Sequence, residues 1–155
     1  LLLANIPQVW DADALNWLSK NPRPLGERFV LTPHPGEAAR LLGAQTAEVV
    51  ADPIGAAQAL CDRFLAVTLL KGATTVVVSR DRRALNESGT PGMATGGSGD
   101  VLTGLIAALL AQGLSPFDAA ALGAHLHGRA GEAAAARFGV RSMCATDLLS
   151  ALRID

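Results

Sequence analysis

At residues 92–104 the chain reads GMATGGSGDVLTG, a run of small residues that ends on an aspartate and passes directly into an apolar repeat. Val101, Leu102, Leu105, Ile106, Leu109 and Leu110 recur at helical spacing over a wide face, and Gly113 marks the stop. The stretch therefore reads as a loop feeding the N-terminus of a deeply buried helix. A helix N-terminus offers unpaired N–H donors and about half a positive charge, and glycines let a phosphate approach the backbone. The loop is a candidate anion cradle. Two familiar phosphate motifs do not fit it. The P-loop pattern needs Lys and Ser/Thr after its last glycine, where Gly97 is followed by Ser98, and a dinucleotide fingerprint begun at Gly97 needs glycine at a position held by Leu102. The plain alternative is a strand-to-helix turn that uses its glycines for close packing, with Asp100 as a first-turn acid suited to the helix dipole.

Asp100 favours the cradle once the rest of the chain is considered. A carboxylate beside a phosphate costs roughly 4 kcal/mol of repulsion at about 4 Å and an effective dielectric of about 20. That placement makes sense where the carboxylate takes a proton from an attacking hydroxyl or binds a Mg²⁺ that bridges phosphates.

Upstream, apolar runs alternate with helical periods, the pattern of an α/β fold with a largely parallel sheet. PQVW (7–10) reads as a short strand leading into DADALNWL, where Asp11 or Asp13 caps a helix carrying Ala14, Leu15 and Leu18. RFVL (28–31) is a second strand, and TPHPGEAARLLG (32–43) turns into a helix stopped by Gly43. A helix over about 53–64 puts Ile54, Ala57, Leu60 and Cys61 on one stripe, and two β-rich runs follow at 66–70 and 75–79. RDRRALNESG (80–89) reads as a solvated turn or edge segment. Beyond Gly113, Ser115 as N-cap and Pro116 at the first helical position open a long Ala-rich helix toward Phe138.

With 155 residues, half of them apolar, and a net charge of −1, one compact soluble domain is expected. The charge supplies no broad basic surface, so nucleic-acid binding is disfavoured and any anion must be held locally. Cys61 and Cys144 stand apart from each other and from any metal-ligand spacing, and are expected as two buried thiols in a reducing cytoplasm. The opening LLLANIP is too short to span a bilayer and no basic segment precedes it, so no membrane association and a cytoplasmic location are expected. Beginning on Leu1 inside an apolar segment, the chain reads like the middle of a domain.

Four stretches in order, DADAL (11–15), LTPHPGEAARLLG (31–43), LLKGATTVV (69–77) and TPGMATGGSGDVLTGLIAALLAQG (90–113), together resemble the NAD(P)H-hydrate dehydratase family of the ribokinase-like superfamily. The resemblance covers most of the chain and corresponds to the latter, C-terminal portion of the family's domain, so residues 1–155 are expected to be an incomplete three-layer ribokinase-like α/β domain. Thr90 replaces the asparagine usual before PGMATGG, and Ser98 stands where threonine is common.

The resemblance implies ADP- or ATP-dependent repair of NADH or NADPH whose nicotinamide ring has added water. Asp100 matches the family's base, which deprotonates the hydrate hydroxyl as it attacks a phosphoryl group; the ring nitrogen then pushes out phosphate. Gly97, Ser98 and Gly99 would supply N–H donors to charge developing on the phosphoryl group. Lys71, Gly72, Ala73, Thr74 and Thr75 match a nucleotide-binding segment in which Lys71 acts as a point charge; read alone, Lys71 is equally a solvated turn lysine. His34 matches a substrate-contacting histidine. Glu37 parallels a superfamily glutamate that acts on the metal through water, or is simply a first-turn helix residue. Asp11 and Asp13 sit at a strand end that faces the same crevice, with Asp13 a candidate for metal, water or phosphate. His125 and His127, two apart on a helix, point to different faces and read as packing or surface residues. Mg²⁺, a homo-oligomeric assembly and an epimerase domain fused ahead of this one are further expectations of the resemblance. A ribokinase-like kinase for a vitamin-precursor alcohol, or a non-catalytic nucleotide-binding fragment, are the competing readings.

Overall fold

A computed structural model describes residues 5–153; most of the opening apolar segment, with the expectation attached to it, lies outside them. Its elements run β1 (Gln8–Trp10), α1 (Asp13–Lys20), β2 (Phe29–Leu31), α2 (Pro35–Leu42), α3 (Thr46–Ala51), α4 (Pro53–Phe64), β3 (Val67–Leu70), β4 (Thr75–Val78), β5 (Arg83–Asn86), a 3₁₀ turn (Pro91–Met93), α5 (Ser98–Ala111), α6 (Pro116–Phe138) and α7 (Ala145–Ala151). The strands form one sheet in chain order. β1, β2 and β3 pair in parallel, whereas β4 runs antiparallel to both β3 and β5. Four strands thus share one direction and β4 alone is reversed. The β3–β4 reversal is a hairpin, which needs only the short KGAT connection rather than a crossover helix.

Alternation along the strands builds two cores. Phe29, Leu31, Leu70, Val76 and Val78 face α1, α2, α3 and α4, while Val30, Val67, Leu69 and Val77 face α5 and α6. This is the expected three-layer arrangement, with both faces of the sheet covered. The long helices begin and end as anticipated. Ser115 Oγ accepts the Asp118 N–H at 3.2 Å at the start of α6, and Gly43 closes α2 with φ 71°, a conformation natural to glycine.

Three expectations are corrected. Neither Asp11 nor Asp13 caps α1: Ala12 holds the N-cap position, with φ 46° and no side-chain hydrogen bond. Cys144 is exposed rather than buried, with its Sγ 3.2 Å from Asp147 Oδ2. Cys61 is buried, and that burial, with Asp62 and Glu27 adding negative charge, pushes its thiol up to about 11. RDRRALNESG is only partly a solvated edge. Arg83–Asn86 forms edge strand β5, and the residues after it fold back onto α6.

Thr68 on β3 is fully buried and its Oγ1 has no hydrogen-bond partner among the described residues. An orphaned hydroxyl in an apolar setting is destabilising, and valine has nearly the same shape. Thr68→Val is expected to stabilise the protein by about 1 kcal/mol, a rise of about 2–4 °C in Tm on calorimetry.

Candidate active site

The carboxyl ends of the three parallel strands are stitched side by side. Thr32 N–H donates to the Trp10 carbonyl at 3.1 Å, and Lys71 N–H donates to the Pro33 carbonyl at 2.9 Å. These bonds set the DADAL turn, the TPHPGE turn and the KGAT connection along one crevice edge, where ligands gather in open α/β sheets.

Asp11 is recruited from this edge by distant partners. Lys71 Nζ donates to its Oδ1 at 3.0 Å and Thr103 Oγ1, one turn into α5, donates to its Oδ2 at 3.1 Å. The pair is largely shielded, with 22% and 13% of the Lys71 and Asp11 side chains exposed. A Cβ on Gly99 would lie 3.3 Å from Asp11 Oδ2 and 3.5 Å from Lys71 Nζ, so the anion-loop backbone rests directly against this ion pair. Lys71 thus lies against this loop, with its charge partnered by Asp11. Asp13 lies outside the cluster, exposed, with its carboxylate accepting from the Asn16 amide at 3.4 Å.

His34 and Glu37 form a capping box at the start of α2. His34 Nδ1 accepts from the N–H groups of Gly36 (3.0 Å) and Glu37 (3.4 Å), and Glu37 Oε2 accepts the His34 N–H at 2.8 Å. Nδ1 as acceptor leaves the proton of the neutral ring on Nε2. The imidazole is more than half exposed while the Glu37 carboxylate is almost buried. Glu37, open at sequence level between a helix role and a metal role, is thus engaged in closing its own helix.

Gly97 starts α5 at φ 87°, a left-handed conformation that only glycine adopts without strain. The first backbone bond into the helix is Val101 N–H to the Gly97 carbonyl at 3.2 Å, and Ser98 N–H donates to the Thr95 carbonyl at 3.3 Å. Among the described residues, the donors without a backbone partner are therefore Gly97, Gly99 and Asp100 rather than the expected Gly97, Ser98 and Gly99, because the Ser98 N–H is engaged. Asp100 is exposed at the third position of α5.

These pieces border a cleft of about 710 Å³. His34, Lys71, Gly72, Ala73, Thr75, Ser98 and Gly99 line it, whereas Thr74, Gly97, Glu37, Asp13 and Asp100 do not; Asp100 follows the lining residue Gly99 in the chain. The far wall was not legible in the sequence. It consists of Asn86, Ser88, Gly89 and Thr90 on one strap and of Ala124, His127 and Gly128 on α6. Asn86 Nδ2 donates to the Ala124 carbonyl at 3.4 Å, Ser88 Oγ to the His125 carbonyl at 3.2 Å, and the Gly89 N–H to Glu132 Oε1 at 3.0 Å. His125 is exposed; His127 is buried, with Nε2 3.3 Å from Ser98 Oγ. Only the spacing of the small residues Gly123, Gly128 and Gly131 on α6 hinted that something packs closely there.

Burial holds the His127 imidazole below the ordinary histidine value, with Lys71 pushing the same way and the contact with the Ser98 backbone opposing. The unfolded chain therefore takes up this proton first as pH falls. Stability from neutral His127 is complete above the ordinary value of about 6.5 and declines below it. Thermal melts between about pH 7.5 and about pH 5.5 are expected to show a larger loss of Tm in the wild type than in His127→Gln.

Among the described residues no cluster of three or more His, Cys, Asp or Glu is arranged to hold a metal, and no helix is long and apolar enough to cross a membrane.

The model of a family described as NAD(P)H-hydrate dehydratase matches residues 1–153. The chain is 53% identical over 148 residues to the bifunctional NAD(P)H-hydrate repair enzyme Nnr of Escherichia coli, covering 95% of this chain and 28% of that protein. It is 49% identical over 132 residues to the ADP-dependent (S)-NAD(P)H-hydrate dehydratase of Neisseria meningitidis, covering 81% of this chain and 45% of that one. The ADP/ATP-dependent NAD(P)H-hydrate dehydratase of Bacillus subtilis, crystallised with ATP and Mg²⁺, superposes with a TM-score of 0.88 at 31% identity, covering 97% of this chain and 56% of that one. The chain thus spans between about a quarter and a little over half the length of these relatives.

Proposed function

The chain belongs to the NAD(P)H-hydrate dehydratase family, and on that premise we propose that it carries the phosphoryl-transfer half of an ADP- or ATP-dependent enzyme that dehydrates the hydrates of NADH and NADPH. The observation that supports this most is the single cleft shared by the His34 turn, the Lys71–Gly72–Ala73 segment and the Ser98–Gly99 anion loop. A nucleotide phosphate in that cleft would meet the N–H of Gly99 at the start of α5, a donor already fixed before charge develops on the transferred phosphoryl group. The Asp11–Lys71 pair, neutral as a unit, holds the ammonium close to Gly99 without leaving an uncompensated cation.

Asp100 accepts the proton of the hydrate's ring hydroxyl as its oxygen attacks phosphorus and ADP or AMP leaves. The ring nitrogen's lone pair then expels phosphate as the C–O bond breaks, and loss of a proton from the adjacent carbon restores the double bond. His34, exposed on the cleft edge with a proton on Nε2, is the group proposed to contact the substrate. Mg²⁺ fits the donor set only as an ion carried on the nucleotide. It would take most of its ligands from phosphates and water, and Glu37, the carboxylate that would act on it through water, is nearly buried in the capping box and lies outside the cleft lining. On the nucleotide the ion would neutralise phosphate charge.

Incubating the full-length protein with ADP or ATP and hydrated NADH tests the reading. Recovery of NADH-band absorbance dependent on the nucleotide is expected. No recovery, together with a stable phosphoalcohol formed from a vitamin-precursor alcohol, would assign the chain to the kinase reading instead.

A further inference from the structure

Ser98 is the buried hydroxyl of the anion loop, and its partner comes from an element that the sequence did not connect with it. Ser98 Oγ lies 3.3 Å from His127 Nε2, both residues are about nine-tenths buried, and both line the same cleft. Two arrangements of this contact are possible in a neutral imidazole. If Nε2 accepts, the Ser98 hydrogen is tied to the ring and only lone pairs face the cleft, which repels an anion. If Nε2–H donates, the hydroxyl hydrogen is free to donate into the cleft. A phosphate oxygen accepts and does not donate, so an anion selects the second arrangement.

We propose that His127 is a positioning residue for the anion loop, donating from Nε2 to Ser98 Oγ so that the Ser98 hydroxyl becomes a side-chain donor to the bound nucleotide phosphate. The proposal rests on the reading of the cleft as a nucleotide site and adds to it a donor beyond the backbone amides. It also accounts for Ser98 contributing despite its own N–H being spent on the Thr95 carbonyl. The groups facing His127 are consistent with it. Lys71, which lines the same cleft, disfavours a second ring proton, and Ser98 meets the ring from α5 through its backbone as well as its Oγ.

The test measures ADP binding to the full-length protein by calorimetry, beside thermal melts of each variant. Ser98→Ala and His127→Phe are each expected to weaken ADP binding about tenfold, the size of a lost hydrogen bond to a charged group. The double variant is expected to bind no more weakly than Ser98→Ala alone, because both changes remove one donor. Ser98→Thr, which keeps the hydroxyl, restores affinity, and His125→Gln on the exposed face leaves it unchanged. Should His127→Phe fail to fold, His127→Gln and ¹⁵N resonances of the wild-type imidazole carry the test. Saturation with ADP is expected to give the signature of a neutral ring protonated at Nε2. Losses that add in the double variant, unchanged affinity in both single variants, or an Nδ1-protonated ring in the ADP complex would overturn the proposal while leaving the nucleotide site standing. A wild-type protein that binds neither ADP nor ATP overturns the reading of the site itself, and the proposal with it.

Discussion

Asp100→Asn is expected to cut hydrate-dependent turnover by about 10³-fold while leaving the dissociation constant for ADP within about twofold of the wild type. The two quantities separate because the carboxylate and the cradle are different structures. The cradle is backbone: it depends on Gly97 at φ 87° and on the start of α5, and neither changes with the side chain at position 100. The carboxylate is exposed and, among the described residues, takes no hydrogen bond or ion pair. An amide of the same shape therefore leaves no buried group unpaired. The structural cost is limited to the favourable interaction of a first-turn acid with the helix dipole, about 0.3–1 kcal/mol. What the amide cannot do is accept the hydroxyl proton. Steady-state rates from NADH-band absorbance and a calorimetric Kd for the same preparation check the prediction. Turnover surviving in the variant would place the base elsewhere; parallel loss of turnover and binding would make Asp100 a nucleotide ligand instead.

The fold and the loop before α5 could be read from residue patterns because they are set by local chemistry, whereas the His34 and Lys71 stretches of the cleft were reached through the family resemblance. Small residues followed by a wide apolar stripe mark the start of α5 wherever the chain goes, and Ser115–Pro116 begins α6 by its own hydrogen bond and fixed φ. The misses share a different cause. α3 and α7 have six and seven residues, too few for a period to show. Asp11 looked like a cap because its true partners, Lys71 and Thr103, are 60 and 92 positions away. The polar NESG stretch looked solvated because polarity alone does not reveal whether water or another backbone satisfies it; here carbonyls of α6 accept from Asn86 and Ser88. His127 was correctly separated from His125 by helical spacing. Nothing in that spacing says that the buried face meets Ser98 rather than aliphatic packing.

Gly128→Ala is expected to destabilise the protein by about 2 kcal/mol and to open the cleft wall, whereas Gly104→Ala, the same change in a neighbouring helix, is expected to stabilise by about 0.5–1 kcal/mol. Both glycines sit inside helices, where alanine is intrinsically favoured by limiting the freedom of the unfolded backbone. At Gly104, in the middle of α5, a Cβ would meet nothing within 4 Å, so the helix preference acts unopposed. At Gly128 it would stand 2.5 Å from the Ser88 carbonyl oxygen and 2.7 Å from its carbon. Those are backbone atoms, held in place by Ser88 Oγ on the His125 carbonyl and by the Gly89 N–H on Glu132, and they cannot swing aside like the end of a long side chain. Relief requires the strap from Asn86 to Gly89 to lift off α6. Because Ser88 and Gly89 line the cleft, the clash reaches function as well as stability. Melting curves for the two variants should move in opposite directions, and ADP affinity should fall only in Gly128→Ala. A Gly128→Ala protein that melts at or above the wild type would show that the strap is not seated on α6, and the cleft would lose its far wall.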